Sequence, residues 1–333
     1  MEIIPKDYTS KLGVKETEKA IELLRDYFQE KFSQKLNLHR VSAPLFVRTD
    51  SGLNDGLSGT EKAVSFDVTA IPNSNCEIVH SLAKWKRMAL GKYGYEVYEG
   101  IYTNMNAIRR QEAVLDNLHS VYVDQWDWEK IITEKDRNFD FLKAVVKDIY
   151  SVIYDTAAFV ESVFPQIKNR LVSDIQFITS EELLAKYPTM TTKERENAIT
   201  KQYGAVFIMQ IGEKLTNGET HDLRAPDYDD WALNGDIMVW YPELDKAIEL
   251  SSMGIRVDAK SLEYQLKSKG LVPSTNYHKN VLSKTYPFTI GGGIGQSRLC
   301  QLLLHKAHIG EVQSSIWDEQ TIAECEAKGV VLL

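Results

Sequence analysis

Cysteine is scarce: the 333 residues contain only Cys76, Cys300 and Cys325, far apart and in no C-x-x-C pair. That excludes a disulfide framework and a zinc knuckle, and it fits a reducing cytosol. No uninterrupted apolar run reaches membrane-spanning length, and the opening MEIIPKDYTSKLG has no basic region followed by an apolar core. A soluble, cytoplasmic protein with no membrane partner is expected. Basic charge is not in excess either, since 39 Lys and Arg stand against 47 Asp and Glu for a net charge of −8, which disfavours a nucleic-acid surface. The seven histidines are scattered without an HExxH, and no GxSxG elbow is present. The GxxxxGK[ST] phosphate loop and the dinucleotide glycine spacing are absent as well. Arginines and carboxylates remain to carry any chemistry, which suits phosphoryl or adenylyl transfer better than acyl hydrolysis.

What is present points first to two C-terminal segments. IELSSMGIRVD (248–258) puts a carboxylate, hydroxyls and an arginine on a strand-like run, and TIGGGIGQSRL (289–299) reads as a glycine turn opening a helix with Arg298 in its first turns. Such a turn lets a ligand approach the backbone, and a helix start offers free N–H groups to anions. Together they suggest a nucleotide site, with Asp236 and Glu249 able to hold the magnesium that accompanies ATP. Ala20, Ile21, Leu24, Phe28 and Phe32 recur at helical period, as do the apolar residues of 139–164. HRVSAPLFV is β-rich, and Pro44 within it marks an edge, a bulge or a strand end. Residues 80–93 and 294–305 read as helices. Strands are expected over 100–108, 118–126, 205–211, 237–241, 249–257 and 288–290. In VDQWDW a period of two puts Gln125 and Asp127 on one face. Strands partly joined without helices predict an α+β fold, a mixed, mainly antiparallel sheet flanked by helices. With no repeat and no low-complexity linker, one catalytic domain over 1–333 is the simplest division.

Several clusters have a plain reading beside a functional one. Lys84, Lys86 and Arg87 in HSLAKWKR most simply form a solvated helix face. Four aspartates in HDLRAPDYDDW fit a solvated loop, or more sharply a cation site. Arg109 and Arg110 are surface arginines or a fork for phosphate or carboxylate. Cys300 and Met253 read as core.

Read in order, NDGLSGTEKAV, HSLAKWKR, HSVYVDQWDWE, RAPDYDDW, NGDI, ELSSMGIRVD and TIGGGIGQSRL closely resemble the ammonia-dependent asparagine synthetases, the aspartate-ammonia ligases. The resemblance runs over nearly the whole chain. That family is similar to the catalytic domain of class II aminoacyl-tRNA synthetases, and the first helix with the Pro44 strand resembles their dimer-forming motif, implying a homodimer. The resemblance implies ATP, L-aspartate and ammonia as substrates, with magnesium. It gives Arg109 the ATP α-phosphate and the reacting carboxylate, and Arg298 the β- and γ-phosphates. Gly292 and Gly293 join them at ATP, and Asp236 and Glu249 bind the metal. Ser81 and Lys86 would meet the aspartate α-carboxylate, while Gln125, Asp127, Ser251 and Ser252 line the amino-acid pocket. Asp55 would hold ammonium or take its proton, Asp229 would sit in a loop closing that side, and Arg256 would orient Glu249. Only Ala232 and Leu233 separate Trp231 from Asn234, which implies a short lid there. Arg110 and Glu112 also fit the synthetases' Arg-x-Glu, leaving the register open. Two other readings use the same residues. A tRNA synthetase fragment would want a basic face and an anticodon-binding barrel, and none is identifiable ahead of the dimer-like motif. A sensor module could dispense with Arg109, Glu249 and Arg298, yet all three are present.

Overall fold

The computed structural model describes residues 3–57, 61–112 and 114–333. The helix α1 (Val14–Leu36) buries Ala20, Ile21, Leu24, Phe28 and Phe32, as their spacing predicts. Asn37 in the left-handed conformation (φ 57°) ends it. The β-rich run that follows is broken around Pro44. Its first part, β1 (Leu38–Arg40), joins a large sheet, and its second, β2 (Phe46–Arg48), joins a small one. Proline has no N–H to give a ladder, so the chain changes sheets there. Next come β3 (Ser65–Phe66), β4 (Cys76–Ile78), α2 (Ala83–Tyr93), β5 (Gly100–Ile108), β6 (Tyr122–Ile131) and α3 (Phe139–Val163). Then follow β7 (Gln176–Thr179), α4 (Ser180–Lys186), α5 (Thr192–Tyr203), β8 (Ala205–Met209), β9 (Asp229–Tyr241) and β10 (Lys246–Arg256). The chain closes with α6 (Ala259–Ser268), α7 (Asn276–Leu282), β11 (Thr289–Gly295), α8 (Gln296–Leu303) and α9 (Glu319–Ala327).

The large sheet has the order β1-β5-β6-β11-β10-β9-β8-β7, and the small one is β2-β4-β3. Among the described residues only β1–β5 and β7–β8 pair in parallel. The architecture is therefore the expected mixed, mainly antiparallel α+β sheet. Period two along β6 divides its side chains between two layers. Trp126 and Trp128 go to the α1 side, where Trp126 lies 4.4 Å from Phe28 and Trp128 meets Phe32 edge-on at 6.0 Å, measured between ring centroids. Gln125, Asp127 and Glu129 alternate with them, and α2 packs over β6, β5 and β11.

Three expectations need correction. The glycines of TIGGGIGQ do not make a turn: they lie inside β11, between β6 and β10. Side chains of both neighbours lean over that strand. A Cβ on Gly291 would overlap the Glu129 carboxylate and Arg256 Nη2, and one on Gly293 would overlap the Gln125 amide. The strand thus needs glycine for close approach rather than for a turn. The helix after it starts at Gln296, and its Ser297 N–H already donates to Asp124 at 3.0 Å. Finally, Trp231 to Asn234 is the interior of β9, so no lid exists at that spacing.

Removing the Phe28 ring opens a hole against Trp126 in the core. Phe28→Ala is expected to lose about 3–5 kcal/mol, read as a lowered urea midpoint with an unchanged slope; an unshifted midpoint would contradict this packing.

Candidate functional site

The site is built on buried charges. Arg256, at the end of β10, spans Glu129 on β6 and Asp229 at the start of β9. Its Nε and Nη2 lie 3.0 and 2.7 Å from the two Glu129 oxygens, and its Nη1 donates to Asp229. All three residues are buried. Burial pushes the Glu129 carboxyl up, but the guanidinium and the nearby Lys86 ammonium bring it below the usual range. For Asp229 burial wins over the same arginine and the carboxyl is raised. Arg256 therefore does not orient Glu249, because both faces of its fork are taken. Lys86 is also enclosed, donating to Asp127, to Trp128 O at 2.9 Å and to Gly292 O at 3.3 Å. The Leu82 N–H gives Asp127 a second donor at 3.0 Å.

Beside this network lies a cavity of about 530 Å³, a size typical of small-molecule sites. Gln125, Ser252, Gly293 and Gly295 line it, as do three arginines, Arg109, Arg224 and Arg298. Arg109 Nε is buried without a hydrogen-bond partner, which is the condition of a donor waiting for an anion. Arg110 is exposed and does not line the cavity, so the geometry favours Arg109. Arg298 Nη1 donates to Glu249 O at 3.0 Å and lies 3.9 Å from its carboxylate. Arg224 bridges Asp222, at 2.6 Å, and Asp236. Burial, opposed by Arg224 but reinforced by Glu249 and Asp222, pushes the Asp236 carboxyl up to about 7. Its Oδ1 is buried with no hydrogen-bond partner. Among the described residues no group of three or more side chains could hold a metal alone. A pair does suit magnesium, which takes one or two carboxylates and shares the rest of its shell with phosphate and water. Asp236 and Glu249 fit that donor set.

Asp55 occupies a different corner. It is buried, its Oδ1 accepts from Leu57 N–H at 2.8 Å, and its Oδ2 accepts from Ser81 Oγ at 2.9 Å. Asn54 Oδ1 ties the loop down by accepting from the Asp55 and His80 N–H groups, both at 2.9 Å. The His80 ring Nδ1 donates to Asp55 O at 3.0 Å. Leu57, His80 and Tyr228 extend from this corner to line the cavity.

Of the residues expected from sequence, Arg109, Gln125, Glu249, Ser252, Gly293 and Arg298 line the cavity directly. Asp55, Ser81, Lys86, Asp127, Asp229, Ser251, Gly292 and Asp236 lie outside that lining, and Ser251 Oγ is buried without a partner. Asp229 is the first residue of β9 and not part of a loop. The solvated readings of two clusters are overturned: Lys84, Lys86 and Arg87 are all buried. Asp227, Asp229 and Asp230 are buried too, each against its own cation, Lys84, Arg256 and Arg137 respectively. Arg224 was missed as a site residue, although it stood within the RAPDYDDW segment. The usable signal was a lone arginine among aspartates that all find partners.

Arg256→Met would leave two carboxylates buried without their cation. The expected cost is about 3–5 kcal/mol, measured by urea unfolding, and an unchanged midpoint would show that the network does not hold these strands.

The aspartate-ammonia ligase family profile matches residues 15–329. An aspartate-ammonia ligase of Clostridium perfringens SM101 is 57% identical over 99% of this chain and 98% of that protein. One from Levilactobacillus brevis is 55% identical over 99% of both. Among solved structures, Entamoeba histolytica asparaginyl-tRNA synthetase in complex with asparaginyl-adenylate superposes with a TM-score of 0.65 at 14% identity, over 94% of this chain and 72% of that one. The Pyrococcus horikoshii asparaginyl-tRNA synthetase complexed with asparaginyl-adenylate gives 0.64 at 15% identity, over 90% and 68%. At such identities the synthetases establish the class II fold, whereas the long, closely similar relatives establish the family. The chain belongs to the aspartate-ammonia ligase family.

Proposed function

We propose that the chain joins ammonia to the β-carboxylate of L-aspartate, converting ATP to AMP and diphosphate through β-aspartyl-AMP, and so makes L-asparagine. One observation carries this reading. A single cavity has three arginines lining it, and a buried carboxylate, Asp55, lies behind residues that open onto it. The first step must bring two anions together, and the second must accept a nucleophile that arrives mostly as a cation.

In the first step the aspartate β-carboxylate attacks the α-phosphorus, and diphosphate leaves. Arg109 would neutralise the repulsion between carboxylate and α-phosphate, its unpartnered Nε finding an acceptor. Arg298 and the missed Arg224 would hold the outer phosphates, with the Gly292 and Gly293 backbone alongside. Magnesium, held by Asp236 and Glu249, would offset phosphate charge. Asp127, Lys86, Ser81, Ser251, Ser252 and Asp229 would recognise the rest of aspartate, and Gln125 would hold the acyl group. In the second step an ammonium N–H bond breaks and its proton passes to Asp55. The freed lone pair then attacks the acyl carbon, the C–O bond to AMP breaks with its electron pair, and the surplus proton of the new amide goes to solvent.

The same reading treats residues 1–333 as one catalytic unit working in the cytoplasm as a homodimer, without nucleic acid or membrane. It rests on the charge balance, the cysteine content, and the likeness of α1 and the Pro44 run to a dimer motif. Sedimentation at twice the 37.9 kDa chain mass would support pairing, and at the chain mass with full activity would refute it.

Asparagine should form with equal AMP and diphosphate from ATP, magnesium, aspartate and ammonium; ADP or charged tRNA in place of AMP and asparagine would overturn the reading. In Asp55→Asn, asparagine formation should fall about 10²-fold or more, and aspartate-dependent ATP–diphosphate exchange should fall much less. Burial raises the Asp55 carboxyl above the usual range, with Lys84 opposing. The second step needs the ionised form, so at fixed ammonium it should be lost as pH falls through that raised value and level off above it. A flat profile over that limb would contradict the role.

A further inference from the structure

Among the described residues the donors on Asp55, Ser81 Oγ and the Leu57 N–H, are both neutral. Charge reaches this corner from behind. About one turn beyond Ser81, Lys84 on α2 meets Asp227 Oδ2 at 2.6 Å, with both side chains nearly enclosed. His278 Nε2 lies 3.1 Å from the same oxygen. The other ring nitrogen, Nδ1, lies 3.1 Å from Ser274 N and 3.4 Å from Thr275 N. Backbone N–H groups only donate, so Nδ1 accepts and the ring hydrogen sits on Nε2, aimed at Asp227.

The start of α7 also supports the Asp55 loop directly. Gly52 has φ +65°, and a Cβ there would come within 2.8 Å of the Thr275 side chain, the cap of α7. Leu53 packs against the apolar cluster to which Tyr277 and Val281 of α7 belong. The loop, α2 and α7 therefore form one corner, in which Lys84 carries positive charge toward Asp55. Neither Lys84, Asp227 nor His278 lines the substrate cavity. A buried ion pair adds little net stability over apolar packing, which leaves its field as the property to explain.

We propose that Lys84, held by Asp227 and His278, is a positioning residue for the ammonia step: it keeps Asp55 ionised and aimed while α7 braces the corner. This rests on the reading of Asp55 as the group that receives the ammonium proton. Burial favours the neutral carboxyl, the Lys84 field opposes that, and the Asp227 charge adds to it. Among the described residues the groups facing the corner are Lys84 and His80 from α2 and its lead-in, Asp227 and Tyr228 from the segment before β9, and Tyr277 and His278 from α7. Removing Lys84 leaves Asp227 without its ion-pair partner and Asp55 without the positive field that opposes its burial. Asp55 then stays protonated to higher pH and can neither attract ammonium nor take its proton.

The test compares wild type, Lys84→Met, Lys84→Arg, His278→Leu and His278→Gln. Two rates are measured from pH 5 to 9: asparagine formation at fixed ammonium, and aspartate-dependent ATP–diphosphate exchange. In Lys84→Met the acid limb of asparagine formation should move up by about one pH unit or more, which is a tenfold loss of ionised Asp55 per unit. The ratio of synthesis to exchange should fall with it. Lys84→Arg, and His278→Gln with its comparable N–H, should recover most of the ratio, and His278→Leu should move the limb in the same direction by less. An unmoved limb in Lys84→Met, or synthesis and exchange falling together, overturns the proposal. If Lys84→Met does not fold, His278→Leu decides, since it keeps both charges: a raised limb supports the proposal and an unmoved one overturns it. Asp55→Asn separates the two levels. If it uncouples synthesis from exchange while the Lys84 and His278 variants keep the wild-type profile, only the Lys84 inference fails. If it lowers both equally, the role of Asp55 fails and the inference with it.

Discussion

Glu129 and Arg256 lie in the middle of the large sheet with almost no exposure, and neither could stay charged there without the other. Between their strands runs β11, and its glycines leave the space in which the carboxylate and guanidinium meet. A side chain at Gly291 would fill the place of the ion pair. Glycine content and buried charge are thus one constraint seen from two sides. Arg256 carries it on to Asp229, while Lys86, 3.8 Å from Glu129, carries it to Asp127. Four strands and α2 are tied through a single buried network, which holds Gln125 at one end of β6 over the cavity. The opposite layer, with Phe28 and Phe32 against two tryptophans, needs no charge and supplies the apolar support.

The cavity built on this base divides into regions with opposite demands. Arginines dominate where phosphates and carboxylates would gather, and Arg109 Nε there is buried without a hydrogen-bond partner among the described residues. The Asp55 corner instead holds a carboxylate supported by neutral donors and by a cation one layer back. Placing both regions around one pocket would let an anionic intermediate meet ammonium where it can lose its proton. Charges of either sign stay controlled because each buried aspartate of the 227–230 stretch already has its own counter-ion.

Much of this was legible in the chain. Long stripes such as Ala20 to Phe32 specify a helix because many residues repeat the same period, and alternation in VDQWDW separates tryptophans from the amide and carboxylate. Short helices such as α4 and α7, at seven residues each, offer too few turns for a stripe to stand out. The glycine run misled because local sequence cannot tell a turn from a strand crowded by its neighbours. The basic cluster of α2 misled in a related way: Lys84 and Lys86 look solvated until the strands and loop that bring Asp227 and Asp127 to them are in place. Resemblance to a family supplied roles for Asp55, Ser81 and Lys86 that spacing alone does not show. Arg224 escaped both routes, since its importance comes from Asp236 twelve residues away across the fold.

The proposed reaction turns on which carboxylate is activated, and isotope transfer reports that directly. Aspartate carrying oxygen-18 only in its β-carboxylate would be converted with ATP, magnesium and ammonium, and the AMP analysed by mass spectrometry. Attack of the β-carboxylate on the α-phosphorus predicts one labelled oxygen in the AMP phosphate for each asparagine formed. Unlabelled AMP, or label appearing in inorganic phosphate alongside ADP, would contradict it.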